Sequence, residues 1–75
     1  MQLGTRWTVG SEPPATLPEA MRDAVAAVEA EPGVESGWRW TLTWLEGRPV
    51  AELDDGTTLR LDPVTGSVVV ERAAD

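Results

Sequence analysis

The sequence predicts a small α+β domain in which a single helix packs on a curved antiparallel sheet, in the order β-α-β-β-β-β. Three observations lead to this prediction. One stretch repeats apolar residues at helical spacing, several short stretches alternate apolar and polar residues, and compact turn sequences separate those stretches. The 75 residues suffice for one domain, residues 1–75, with a modest core.

The predicted N-terminal strand covers residues 1–10, and a linker follows over residues 11–15. The strand has two faces, one with Leu3, Thr5, Trp7 and Val9 and the other with Gly4, Arg6 and Thr8. The linker contains two adjacent prolines, which interrupt regular structure. One face of the strand is therefore expected to be buried before the chain crosses to the helix.

The predicted helix covers residues 16–31. Thr16 is the expected N-cap, Glu19 completes a capping box with it, and Pro18 falls in the first turn. A Pro-Gly pair at residues 32–33 ends the helix. Its apolar stripe consists of Leu17, Met21, Ala24, Val25 and Val28. A helix of about four turns is marginal alone in water, so this stripe must pack on the sheet.

A four-stranded antiparallel meander is predicted over residues 37–71, with turns at residues 46–47, 54–56 and 62–66. These turns determine which residues face each other. The pairs expected on the buried face are Trp40–Leu53, Leu42–Ala51, Trp44–Pro49, Ala51–Leu59, Pro49–Leu61, Leu61–Val68 and Leu59–Val70. Opposite charges are expected to pair on the other face at Arg39–Asp54 and Arg48–Asp62. All three hairpins agree on one apolar face, which supports the meander.

The segment GWRWTLTW, residues 37–44, contains Trp38, Trp40 and Trp44, while the chain has no Phe or Tyr. These rings could form the core under the helix, or an exposed platform for a ligand. Burying three indoles removes about 500 Å² from water, worth up to about 12 kcal/mol, and a domain this small needs that contribution. The core interpretation is therefore favoured, and the platform is the alternative.

The composition argues against several classes of protein. Every basic residue is Arg and the net charge is −7, so nucleic acid and anionic membranes are unfavourable partners. The chain lacks Cys, His, Lys and Tyr, and therefore the commonest nucleophiles, general bases and metal ligands. Asp54, Asp55 and Asp62 lie in turn sequences and are expected to be turn residues, not a calcium site. We expect no catalytic residue, no metal site and no cofactor, and we expect that the protein is not an enzyme.

The expected location follows from the absence of targeting features. No apolar run approaches the length of a membrane span, and the chain as given does not open with a basic and then apolar segment. Membrane insertion is not expected, and the expected location is the cytoplasm, or outside it if the chain is a processed fragment. Lys, Asn, Ile, Phe and Tyr, whose codons are AT-rich, are all absent, which indicates a bacterium with a high-GC genome.

The solvent face of the predicted sheet carries a second candidate site. The register places Thr43, Val50, Arg60 and Val69 in one cross-strand row, with Leu45 nearby. A row that is half apolar is common on a solvent face. It could equally be a surface on which a partner docks, or on which a second copy stacks. These five residues are the candidate interaction face.

Two passages resemble a PepSY domain. LPEAMRDAVAAVEAEPG is similar to the opening helix of that family, and VAELDDGTTLRLDPVTGSVVV is similar to its closing hairpins, with their DG and DPxTG turns. The resemblance covers the stretch from Leu17 to Val70, and the helix-on-sheet order also resembles the cystatin-like architecture. PepSY domains are non-catalytic, occur in propeptides of secreted metallopeptidases, and are thought to bind or restrain peptidases. The resemblance implies a similar role here.

The leading hypothesis is a non-catalytic module that binds another protein, such as a peptidase, through the open sheet face or a free edge strand. The first alternative is a binder of small hydrophobic ligands that uses the tryptophan-rich face. The second alternative is an acidic inhibitor or partner of a basic protein, steered by charge. The expected oligomeric state is a monomer or a weak homodimer.

Overall fold

The computed structural model describes residues 4–72, so Leu3 and the other predicted positions in residues 1–3 and 73–75 lie outside the described residues. The elements are β1 (Thr5–Thr8), α1 (Glu19–Glu29), β2 (Arg39–Leu45), β3 (Arg48–Leu53), β4 (Thr58–Leu61) and β5 (Val68–Glu71). The five strands form one antiparallel sheet in the order β1-β2-β3-β4-β5. The predicted α+β architecture is confirmed.

The predicted register is confirmed at the centre of every hairpin. Between β2 and β3, the pairs are Trp40–Leu53, Leu42–Ala51 and Trp44–Pro49. Leu59 of β4 lies opposite Ala51 on one side and Val70 on the other. β1 pairs with the free edge of β2, where Trp7 lies opposite Trp40. The N-terminal strand therefore belongs to the same sheet and extends the apolar face.

The ladder between β3 and β4 is shorter than predicted. It ends at the pair Val50–Arg60, so the predicted pairs Pro49–Leu61 and Arg48–Asp62 are not part of it. Pro49 has no N–H to donate, which prevents the ladder from continuing past that residue. The Asp62 carboxylate is used within its own turn instead.

The predicted ion pair between Arg39 and Asp54 takes another form. The Arg39 backbone N–H donates to Asp54 Oδ2 at 2.9 Å, and the Asp54 N–H donates to the Arg39 carbonyl at 3.1 Å. The Asp54 carboxylate therefore accepts a hydrogen bond from the backbone at the start of β2 and does not pair with the Arg39 guanidinium. The two residues are opposite each other, as predicted, but their contact fixes the strand end.

The helix is shorter than the predicted 16–31, and the predicted capping box is wrong. Pro18 is the N-cap, with no side-chain hydrogen bond capping the helix. A proline disfavours helical geometry in the residue before it, so Leu17 cannot belong to the helix and Thr16 cannot cap it. Leu17 instead closes a turn by donating its N–H to the Pro14 carbonyl at 3.0 Å.

Arg22 holds this turn against the helix. Its Nε donates to the Leu17 carbonyl at 3.1 Å, and its Nη2 donates to the Pro14 carbonyl at 2.9 Å. The guanidinium thus satisfies two carbonyls of the segment that precedes α1, and the arginine is only partly exposed. A long side chain in the first turn of the helix replaces the side-chain cap that the sequence suggested.

The core lies between α1 and one face of the sheet. Its buried members are Trp7, Leu17, Met21, Val25, Val28, Trp40, Leu42, Ala51, Leu53 and Leu59. All five residues of the predicted stripe pack in or against this core, but only Met21, Ala24, Val25 and Val28 do so from the helix, while Leu17 does so from the turn before it. Cα atoms of α1 come within 8 Å of β4 and β5 but of no other described strand. The helix is therefore closest to one side of the sheet, and large side chains fill the space above β1 and β2.

Candidate interaction face on the open side of the sheet

The tryptophan face is closed. Trp40 is 0% exposed and Trp7 is 8% exposed, and their rings stack with centroids 6.1 Å apart and planes 15° apart. Trp38 and Trp44 are partly buried and pack against the same core. The core interpretation of these rings is confirmed for Trp40. Because Trp40 has no free surface, the three candidate residues do not form an exposed platform together.

The two stacked indoles differ in hydrogen bonding. Trp40 Nε1 donates to Glu29 Oε2 at 2.8 Å, and the other oxygen of Glu29 accepts from the Gly10 N–H at 3.3 Å. Trp7 Nε1 is buried and has no partner in the structure. Glu29 thus joins the end of α1 to β2 and to the chain after β1. This role of Glu29 was not predicted from the sequence.

The opposite face of the sheet, which we call the open face, is not covered by α1. The register places Thr43 opposite Val50, Val50 opposite Arg60, and Arg60 opposite Val69, so the predicted row crosses four strands. Leu45, at the end of β2, is 65% exposed. The five predicted residues therefore lie together, as the pattern indicated.

A groove of about 310 Å³ lies at one end of the open face. Its lining residues are Leu45, Glu46, Arg48, Val50, Arg60, Leu61, Asp62, Pro63 and Val69. Four of the five predicted residues line it, and Thr43 lies beside it in the same row. The walls of the groove were not predicted from the sequence, because they come from two turns. The available signal was that both turns close hairpins at the same end of the sheet.

The first wall is the turn between β2 and β3. Glu46 and Gly47 have φ angles of 53° and 79°, so both central residues of this two-residue turn are left-handed. This is the geometry of a type I′ turn, which matches the twist of the strands that it joins. The turn holds Leu45 and Arg48 directly opposite each other at the rim of the groove.

The second wall is the turn between β4 and β5. Asp62 Oδ1 accepts hydrogen bonds from the N–H groups of Val64 at 2.8 Å and Thr65 at 3.3 Å. The Gly66 N–H donates to the Asp62 carbonyl at 2.8 Å, with Gly66 at a φ of 74°. Fixed in this way, the turn leaves the Val64 side chain 90% exposed next to the groove. The prediction that Asp62 is a turn residue is confirmed.

The carboxylates that could have suggested a metal site serve the backbone. Asp55 Oδ1 accepts from the Thr57 N–H at 2.8 Å, and Asp54 accepts from Arg39 as described above. Within residues 4–72, no group of three potential metal ligands is found. These two aspartates are thus tied into the turn between β3 and β4.

Charged side chains of both signs border the groove. Arg60 Nη2 lies 3.3 Å from Glu71 Oε2, with both side chains about half exposed. Exposed ion pairs of this kind contribute little to stability, so Arg60 is free to change partners. Arg48 is exposed and forms no ion pair with any residue from 4 to 72.

A second ion pair joins the end of β5 to the segment that follows α1. The Arg72 guanidinium donates a hydrogen bond to the Glu31 carboxylate, and this bond raises the pKa of Arg72 above its usual value. Val70, on the same edge strand, is 42% exposed. The outer edge of β5 borders no other strand of the described sheet.

Scans against protein-family models, curated proteins and solved structures found no match for this chain. Residues 4–72 contain no helix with the length and apolar character that crossing a membrane requires.

Proposed function

We propose that the protein is a non-catalytic binding module that docks another protein on its open face. The observation that carries this proposal is the groove, whose lining combines apolar side chains with charged side chains of both signs. Val50 and Val69 line it, and Leu45, which also lines it, is largely exposed. Clusters of exposed apolar residues surrounded by polar ones are typical of protein interaction sites.

The resemblance to PepSY domains suggests a peptidase as one class of partner. It supports a binding role because members of that family have no catalytic residues. A helix followed by antiparallel hairpins is compatible with such a domain. An extended segment of the partner could also pair with the free edge of β5, which lies next to the groove.

The acidic surface supports a second candidate function, the binding of a basic protein. Glu19 and Asp23 on α1 are exposed, as are Glu12 and Glu35 in the segments before and after the helix. A cluster of one sign speeds association with a partner of opposite sign, and salt weakens that effect. This candidate predicts a helix-side contact, whereas the first predicts contact through the open face.

Site-specific photo-cross-linking in the source cells distinguishes these two candidate functions. A photoreactive phenylalanine derivative replaces Thr43 on the open face, and in a matched variant it replaces Asp23 on the exposed side of α1. We expect a discrete adduct from position 43 and none from position 23. Intact mass of the adduct then identifies the bound protein. Adducts from position 23 alone would favour the basic-partner function, and no adduct from either position would count against both.

A further inference from the structure

We propose that the protein docked on the open face is a second copy of this chain, packed sheet to sheet. This inference rests on the proposed function, because it names the partner of the same surface.

The open face is nearly neutral in a strongly acidic chain. The register and the groove place four arginines on it, namely Arg6, Arg39, Arg48 and Arg60. They also place five carboxylates there, namely Glu46, Glu52, Asp54, Asp62 and Glu71. Four positive and five negative charges leave −1 on this face, so −6 of the net charge of −7 resides on the rest of the chain.

This distribution favours one way for two copies to meet. Contact through the helix side would bring two acidic surfaces together, which is repulsive. Sheet-to-sheet contact instead places the two helices on opposite outer sides. Packed sheets are about 10 Å apart, and each helix adds a similar distance, so the acidic surfaces lie beyond the Debye length of about 8 Å.

The open face is also complementary to itself in charge. In a twofold dimer, each residue of one copy can meet a different residue of the other, and the contact is repeated by symmetry. Arg48 has no carboxylate partner among the described residues, and Glu52 is exposed on the same face. A second copy supplies both signs of charge, so the face needs no partner of a different composition.

The shape of the open face also favours contact with a second copy. The groove is a hollow, and two largely exposed apolar side chains, Leu45 and Val64, stand next to it. Because a twofold contact applies the same patch to itself, projecting side chains of one copy can enter the groove of the other. Burying Leu45 in this way would remove from water the most exposed leucine side chain among the described residues.

The available area predicts a weak dimer. Five strands spaced about 4.8 Å apart, with a mean length of about five residues, give a flat area of about 400 Å². Side chains and turns increase the accessible area, so that two copies can bury about 1,000 Å² in total. This is at the lower limit of specific interfaces. We therefore expect a dissociation constant in the micromolar range or weaker.

The first test is sedimentation equilibrium from low micromolar to millimolar concentration. The average mass is expected to rise from 8.1 kDa towards twice that value. Val50→Glu places a charge in the groove and should abolish the rise. Ala26→Glu adds the same charge on the exposed side of α1 and should leave dimerisation largely intact. Circular dichroism establishes that both variants are folded.

Chemical shifts provide a readout that needs no variant. In spectra of the wild-type chain, amides of the open-face row should shift with concentration while those of α1 stay constant. A dimer lost with Val70→Lys but retained with Val50→Glu would be an edge-strand dimer and would overturn the proposal. A chain that is monomeric at millimolar concentration would also overturn it. If such a monomer still cross-links a different protein through position 43, the proposed function stands while this inference fails.

Discussion

At the scale of single residues, the stacked tryptophans show how identical side chains can have different energetic roles. Both rings contribute apolar area to the core, but only Trp40 has a hydrogen-bond partner for its indole N–H. A buried donor without a partner costs free energy, whereas a hydrogen bond to a carboxylate is stabilising. The two positions therefore form a matched pair for measuring the contribution of Glu29.

The first prediction compares Trp40→Phe with Trp7→Phe. Each replacement removes a similar part of an indole ring, but only Trp40→Phe removes the bond to Glu29. We expect Trp40→Phe to lower the free energy of unfolding by about 1–2 kcal/mol more than Trp7→Phe. Urea denaturation followed by circular dichroism measures both. Equal losses would mean that the Glu29 contact contributes nothing.

The second prediction concerns Glu46, a non-glycine residue with a φ of 53°. A left-handed conformation costs most residues about 1–2 kcal/mol, while Asn tolerates it well, and Asn-Gly is a preferred type I′ sequence. Glu46→Asn should therefore raise the free energy of unfolding by about 1 kcal/mol. Glu12→Asn, in an exposed segment, removes the same charge and serves as the control. A gain of similar size in both variants would assign the effect to reduced net charge.

At the scale of the elements, the strands were predicted well and the helix start was not. Register follows from the alternation of residues and the length of each turn, both of which are local, so pairs such as Trp40–Leu53 could be predicted. The start of the helix depended on Arg22 reaching back to Pro14, a contact that no local pattern reveals. Pro18 was nevertheless a usable signal, because it restricts Leu17.

The candidate site follows the same division. The row of residues on the open face could be predicted because register alone places it. The groove could not, because its depth depends on turn conformations. The left-handed geometry of Glu46 and the hydrogen bonds of Asp62 position the walls, and neither is evident from alternation.

The third prediction tests the observed start of the helix with Thr16→Ala and Arg22→Gln. Thr16 makes no capping contact, so its replacement should change the free energy of unfolding by less than about 0.5 kcal/mol. A true N-cap threonine would cost about 1 kcal/mol. Arg22→Gln loses two hydrogen bonds to carbonyls and should cost about 1–2 kcal/mol. Arg6→Gln, at an exposed strand position, controls for the lost charge.

At the scale of the whole molecule, the division between an acidic helix side and a nearly neutral sheet face gives the sign of a salt effect. Two copies that meet through nearly neutral faces still repel each other at long range, because each carries a net charge of −7. Raising the ionic strength from about 0.01 M to about 0.1 M shortens the Debye length from about 30 Å to about 10 Å. Salt should therefore strengthen the proposed dimer.

The fourth prediction follows from this sign. Sedimentation equilibrium at the two ionic strengths should give a lower dissociation constant at the higher one. Ala26→Glu carries one more negative charge, so its dissociation constant should fall further between the two ionic strengths than that of the wild type. Binding to a basic protein through the acidic side would weaken under the same change, because screening reduces attraction between opposite charges. A dimer that weakens with salt would mean that ion pairs across the interface dominate. The separation of the acidic surfaces would then not be what selects sheet-to-sheet contact.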